Sequence, residues 1–296
     1  MPLRPLSIRR RNVSDQTLRQ SQPLPFTDGL SATHLASGTA NAQVASGASS
    51  NAVGSWLQLI SNAAVASTDT IGLVLLTPSG VSASSTTDNS TLIDIGTGAA
   101  GSETAVVSDI AIGGLLATAM PLAIPVRISG ATRVAFRSRC ATASRNQRIV
   151  SSMFFSVPFV DRLPTTLDVL GTSQSTSAGT AMSGSSGTWV QITASTTRDY
   201  QALIVVPSGA ANFTGGSTTT NKLDLGIGAS GSEVAVASTL QDVTGANGFI
   251  VPSYASPNLI GVCGRFIPAG TRIAVRHDRA SNPSWLCACV IGVPYV

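Results

Sequence analysis

The chain repeats itself. Gly54-Ser55-Trp56-Leu57-Gln58 returns as Gly187-Thr188-Trp189-Val190-Gln191. Leu73 to Gly80 (LVLLTPSG) returns as Ala202 to Gly209 (ALIVVPSG), and Leu92 to Val106 (LIDIGTGAAGSETAV) as Lys222 to Val236 (KLDLGIGASGSEVAV). Ile128 to Arg137 (ISGATRVAFR) matches Ile267 to Arg276 (IPAGTRIAVR), and the copies close alike on Phe155 to Val160 (FSVPFV) and Ile291 to Val296 (IGVPYV). The five landmarks keep their order while their offset drifts between 129 and 139, as loop insertions produce. Whatever fold this chain adopts must therefore be built twice. Repeat 1 spans roughly 36–163 and repeat 2 roughly 164–296, each opening on a Ser/Gly-rich stretch (Ala36 to Asn51, Leu170 to Ser186). Residues 1–35 stand outside the repeat as an N-terminal arm.

Composition narrows the repeating unit. A length of 296 residues suits two domains. Charged residues make up 11%, against roughly 25% in an ordinary soluble domain. Lysine occurs only at Lys222 and glutamate only at Glu103 and Glu233, so a helical bundle lacks its usual strong formers. A hydrophobic share of 43% is too high for a disordered chain, and a net charge of +4 is weak for a nucleic-acid binder. Val, Ile and Thr broken by Gly and Ser favour strands.

In repeat 1 the expected strands begin at Trp56 and continue through Ile71 to Thr77 (ended by Pro78-Ser79-Gly80) and Leu92 to Ile95 (ended by Gly96). Thr104 to Ile112, Val126 to Ile128, Arg133 to Arg137 and Ile149 to Val157 follow. Seven or eight strands per copy point to an all-β chain of two tandem β-sandwiches, either immunoglobulin-like or jelly-roll, with the jelly roll preferred on strand count and loop length.

The uncharged run Ile110 to Val126 (IAIGGLLATAMPLAIPV) is 17 residues long, short of the roughly 20 a spanning helix needs. Its counterpart carries Asp242, Asn247, Ser253, Tyr254 and Asn258. One fold serves both copies, so no membrane span is expected. Met1 to Arg11 has basic residues without an apolar stretch behind them, unlike a secretory signal. Four cysteines do not make a disulfide scaffold; Cys287 and Cys289, two apart, read as small buried residues facing one way.

Gly96-x-Gly98-x-x-Gly101 fits a dinucleotide fingerprint and recurs as Gly226-x-Gly228-x-x-Gly231. Such a site needs a helix opening on the glycines. Here Ser102-Glu103-Thr104-Ala105-Val106 and Ser232-Glu233-Val234-Ala235-Val236 follow, which are strand-like. The motif therefore reads as a glycine loop joining two strands. Asp94 with Glu103, and Asp224 with Glu233, are matched carboxylates expected to accept backbone amides and fix that loop. A cation site built on the same pairs is the alternative. No cofactor and no catalytic set is expected: His34 and His277 are unmatched between copies, and His277 reads as part of a polar strand end. Trp56 and Trp189, at strand starts, are expected to pack in the core.

The arm holds Arg4, Arg9, Arg10, Arg11 and Arg19, with Pro2, Pro5, Pro23 and Pro25. It reads as an extended segment that docks on acidic protein surface in preference to phosphate.

At Asp94-Ile95-Gly96-x-Gly98-Ala99-x-Gly101-Ser102-Glu103, and again at Asp224 to Glu233, the sequence resembles a loose group of structural proteins from tailed-bacteriophage virions, which are Ser/Thr/Ala/Gly-rich β-domains, often repeated. The resemblance covers about residues 36–296. It implies a non-enzymatic virion component: head decoration or cement, collar, baseplate, or fibre anchor. Its expected partners are other virion proteins and further copies of itself, and its expected place is the particle, assembled in the host cytoplasm. A carbohydrate-binding or adhesin module, with a host glycan as partner and Trp56, Trp189 or Tyr254 as contacts, is the alternative.

Overall fold

The computed structural model describes residues 32–82, 90–112, 122–158, 160–182, 185–209, 219–244, 249–252, 262–263, 265–278 and 286–296. The five arm arginines and Tyr254 lie outside the described residues, as does 113–121 of the uncharged run.

The chain is all-β, as its composition requires. Repeat 1 supplies β1 (Thr33–Ser37), β2 (Ala42–Ala45), β3 (Leu57–Ile60), β4 (Thr70–Ile71), β5 (Leu73–Ser82) and β6 (Thr91–Thr97). Then come β7 (Thr104–Ile112), β8 (Leu122–Ile124), β9 (Ile128–Ser129), β10 (Val134–Cys140) and β11 (Asn146–Ser156). A 3₁₀ turn at Val160–Arg162 leads to repeat 2. That copy holds β12 (Asp168–Leu170), β13 (Thr172–Ser173), β14 (Ala178–Ala181), β15 (Val190–Thr193), β16 (Tyr200–Gly209) and β17 (Thr219–Ile227). It continues with β18 (Val234–Thr244), β19 (Phe249–Pro252), β20 (Val262–Cys263), β21 (Ile273–His277) and β22 (Leu286–Pro294).

Each repeat forms two main antiparallel sheets, and repeat 1 adds a separate two-stranded pair, β4-β9. In repeat 1 they run β1-β11-β5-β8, with β2 also on β11, and β3-β10-β6-β7. In repeat 2 they run β13-β14-β22-β16-β20, with β12 also on β22, and β15-β21-β17-β18-β19. Counting the main strands of repeat 1 in chain order, its two main sheets read 1-8-3-6 and 2-7-4-5. In repeat 1, Val74, Leu76, Ile149 and Phe154 of the first sheet are buried in one cluster with Leu59, Ile93, Ile95, Val134 and Phe136 of the second.

Several boundaries differ from the sequence expectation. Thr33 to Leu35 belong to β1, paired on β11, and not to the arm. β5 runs on through Pro78-Ser79-Gly80 to Ser82. Pro78 sits where the register with β11 shifts between Ile149 and Ser151, and such irregularities tolerate a proline that has no N–H to donate. β6 continues through Gly96 to Thr97. In place of one strand at 126–128 there are two short ones, β8 and β9. The described ends of the uncharged run are β7 and β8, and among the described residues no helix is long and apolar enough to cross a membrane.

The repeats share a core. Ala202, Ile204 and Val206 of β16 and Cys289, Ile291 and Val293 of β22 belong to the repeat 1 cluster. Their alternate neighbours Leu203, Val205, Ala288 and Val290 line the core of repeat 2. The β16–β22 sheet is thus apolar on both faces, because β7 of repeat 1 packs on its outer side together with β12 and β14 contacts. Polar ties fasten the seam: the Leu167 N–H donates to the Val106 carbonyl at 2.9 Å, Gln174 donates to Asp109 at 2.7 Å, and Ser177 donates to Asn51 at 2.8 Å. Cys140, Cys287 and Cys289 are buried. Burial pushes the Cys289 thiol up to about 12, so it is an inert apolar residue at neutral pH.

Candidate functional site: a duplicated carboxylate–arginine face

The glycine motif is the β6–β7 hairpin in repeat 1 and the β17–β18 hairpin in repeat 2. A strand follows each motif, so neither has the helix N-terminus a pyrophosphate would need. Gly98 and Gly101 have φ of 128° and 82°, and Gly228 and Gly231 have 123° and 81°. L side chains rarely adopt such backbone, which is why these positions are glycine in both copies. The turns close alike: Ser102 N–H to Ala99 carbonyl at 2.9 Å, Ser232 N–H to Ala229 carbonyl at 3.0 Å. Gly98 and Gly228 N–H reach the carbonyls of Arg133 and Arg272, both at 3.3 Å.

The carboxylates do not meet as a pair. Each is held by a different arginine, from β10 or β21 at the aspartates and from the residue just before that strand at the glutamates. Arg133 Nη1 bonds Glu103 Oε1 and its Nε donates to Gln58 Oε1 at 3.0 Å. In repeat 2, Arg272 bonds Glu233 and donates to Gln191 at 3.1 Å. Four residues further along, Arg137 Nε donates to Asp94 Oδ2 at 2.7 Å, and Arg276 to Asp224 at 2.9 Å. Each of these outer guanidiniums also covers a tryptophan, Arg137 over Trp56 and Arg276 over Trp189, both at 4.4 Å from the ring centroid.

The tryptophans are therefore not core residues, as their strand-start position suggested. They lie half-buried, each indole between an arginine and the backbone of Gly96 or Gly226. A Cβ on Gly96 would stand 2.6 Å from Trp56 Cη2, and one on Gly226 2.5 Å from Trp189 Cη2. The first glycine of each motif is needed for this contact; the later two are needed for the turn.

Burial alone would raise the Glu103 carboxyl, but its own amide, Arg133 and the Gly101 amide outweigh that and hold it below its ordinary value. Glu233 is held down in the same way by its own amide, Arg272 and Gly231. The expected amide contacts thus exist at the glutamates. At the aspartates the amide comes from elsewhere: Asp94 Oδ1 accepts the Asp109 N–H at 2.7 Å. Asp224 instead takes the Ser238 hydroxyl at 2.5 Å and Lys222 Nζ at 2.9 Å; these and Arg276 lower its pKa against the opposing effect of burial.

The arginines were the part of this face that residue-by-residue reading left unassigned. Their signal is present: Trp-x-Gln, Asp-x-Gly, Gly-Ser-Glu and Arg-x-x-x-Arg are retained together in both copies. Chemically the face is a carboxylate–guanidinium clamp, charge-neutral in repeat 1 and carrying the additional cation Lys222 in repeat 2. With each carboxylate already matched to a guanidinium, the Asp94–Glu103 and Asp224–Glu233 pairs do not present a shared anionic cage for a cation. Among the described residues no group of three or more potential metal ligands is clustered.

His277 ends β21 buried, beyond the Arg276 clamp. A second local network belongs to repeat 2 alone. The Tyr200 hydroxyl donates to Asp168 Oδ2 at 2.8 Å and Arg198 Nε to the same carboxylate at 2.6 Å. Burial first, then the bond to Asp168, pushes Tyr200 up to about 12. Its ring lies against Gly292.

Compared with protein-family models, curated proteins and solved structures, the chain matches none.

Proposed function

We propose that this chain is a non-enzymatic structural component of a tailed-phage virion, a head decoration or cement protein or a collar, baseplate or fibre-anchoring element, docked through its N-terminal arm. The observation that carries the reading is how the retained residues are used. Every charged residue of the shared motif is bound to another part of the same face. What the duplication preserves is the shape and rigidity of a surface, which is what a docking component needs. The shared core between the repeats supports the same reading, because it joins two sandwich-like units into one presenting body.

Mass spectrometry of purified virions tests the proposal. Hundreds of copies per particle are expected for decoration and roughly 3–18 for collar, baseplate or fibre; absence from the particle overturns it. The arm is tested by deleting residues 2–31, which leaves β1 whole. Loss of incorporation with retained folding is expected.

The adhesin reading has less to stand on. Trp56 and Trp189 are sandwiched between an arginine and a glycine backbone, and so are poorly placed as sugar platforms. Glycan-array binding abolished by Trp56→Ala or Trp189→Ala, with folding intact, would revive it.

A further inference from the structure

The segment that leads into repeat 2 is seated on repeat 1. Leu163 and Leu167 are buried, and Leu167 belongs to the repeat 1 core cluster. Two backbone bonds fix the segment. The Leu167 N–H donates to the Val106 carbonyl at 2.9 Å, and the Arg127 N–H donates to the Pro164 carbonyl at 2.8 Å. Asp161 lies 3.8 Å from the Arg127 guanidinium. Val106 is the extra residue of a β-bulge, since the β6–β7 pairing passes from Ile95–Val107 to Gly96–Ala105. A bulge leaves its extra residue unpaired in the ladder, and here the leading segment bonds its carbonyl.

Both halves of this contact recur in the chain. Leu24-Pro25-Phe26-Thr27-Asp28-Gly29-Leu30, which leads into repeat 1, matches Val157-Pro158-Phe159-Val160-Asp161-Arg162-Leu163, with Pro, Phe, Asp and Leu identical. The receiving half recurs in β18. The β17–β18 pairing passes from Leu225–Ala237 to Gly226–Ala235, so Val236 is the extra residue of the same bulge. β19 pairs only from Gln241 onward, and among the described residues no strand pairs on the outer side of Val234 to Ser238. Val106 is 8% exposed under its segment, whereas Val236 is half-buried and Val234 is 61% exposed. Phe266 stands in the place of Arg127, because the Tyr200–Ile267 bridge repeats the Ile71–Ile128 pair. Exposed Arg265 beside it offers Asp28 the cation that Arg127 offers Asp161. Gln201 replaces Gly72, whose missing side chain makes room for Val157, Val160 and Leu163, so that end of the contact is not repeated.

The seated segment runs straight into the repeat that stands beside its receiver. Repeat 1 meets repeat 2 through β16 and β22, and β18 belongs to the other sheet. A receiver for the segment of repeat 1 is therefore found on a second copy. We infer that residues 24–31 of one chain dock along the β18 edge of repeat 2 in another copy, with a segment amide on the Val236 carbonyl. Such a contact is heterologous, so copies join in series, head to tail. The inference does not rest on the virion reading, and its test needs no particle.

Light scattering of the full chain from about 1 to about 100 μM should show the mass rising from 30.0 kDa to its multiples. Two full-length variants separate the halves. Phe26→Asp with Leu30→Asp removes the apolar side chains of the segment, and Val236→Lys places a charge on the receiving edge. Each alone should stay at single mass with unchanged circular dichroism. Mixed, one variant keeps an intact segment and the other an intact edge, so the mixture should reach twice the single mass and stop. Where Val236→Lys disturbs folding, Val234→Lys, at an exposed position, takes its place. A wild-type chain of single mass over the whole range overturns the inference. So does assembly that survives either variant in folded protein, or a mixture of folded variants that stays at single mass.

Discussion

β11 and β22 hold the same place in their sheets, yet they are buried differently. Every residue of β22 is buried, from Leu286 to Pro294. β11 alternates, with Gln147, Ile149, Ser152 and Phe154 inside and Asn146 and Arg148 exposed. The inward sides do the same work in both copies, so the fold accounts for them. The outward sides differ because one faces a neighbouring repeat. Outward hydrophobicity in these strands thus records what the strand is packed against, and only inward hydrophobicity records the fold.

The sharpest way to break that comparison is a matched pair of substitutions at one topological position. Ile204→Asp buries an unpaired carboxylate in the seam and should cost about 3–5 kcal/mol. Leu75→Asp, its equivalent in repeat 1, should cost under about 1 kcal/mol in the dilute chain. Urea unfolding at low chain concentration measures both. Equal costs would mean that the two outward faces are alike after all.

A second contrast is chemical. Tyr200 stands where repeat 1 has Ile71, and its pKa is raised to about 12 from 10.0. A raised folded pKa gives stability that is complete below pH 10 and disappears as pH climbs to about 12. The stability at stake is on the order of 2–3 kcal/mol. Alkaline unfolding should show this fall, and Tyr200→Phe should remove the part that Tyr200 contributes, leaving the part that follows from the raised Cys289 thiol; Ile71 supplies no such part in repeat 1.

Where the copies are alike, perturbations should match. Gly96→Val and Gly226→Val each force an indole away from its glycine and should each cost about 1–3 kcal/mol, with a shift in tryptophan emission. Unequal losses would show that only one clamp carries structure.

The smallest expected effect is acidic. Glu103 and Glu233 sit below their ordinary pKa of 4.5. Their contribution is complete above that value and is lost as pH falls through the lower folded value. Glu103→Gln and Glu233→Gln should each flatten the acid limb of a melting-temperature profile, to similar extents.

Much of the fold was legible because its signals are local. Thr104 to Ile112 reads as a strand from β-branched alternation alone, and it is β7 to the residue. The glycine loops read as turns because positive φ is a property of the residue itself. Trp56 was misplaced for the opposite reason. An indole at a strand start looks like core until Arg137, 81 positions away in sequence, is brought over it by the β3–β10 pairing. The arginine partners of Glu103 and Asp94 were hidden likewise, since strand pairing and not spacing sets which charges meet.

By itself the sequence determined that one all-β unit is made twice, with two glycine hairpins and an arm of different composition. Propensity, turn chemistry and self-similarity are written residue by residue. Only the tertiary structure decided that β16 and β22 are apolar on both faces, that β7 carries its extra residue into the seam, and that the tryptophans lie under arginines. Those outcomes depend on which surfaces meet, and burial is a property of the pair of surfaces, not of either chain segment alone.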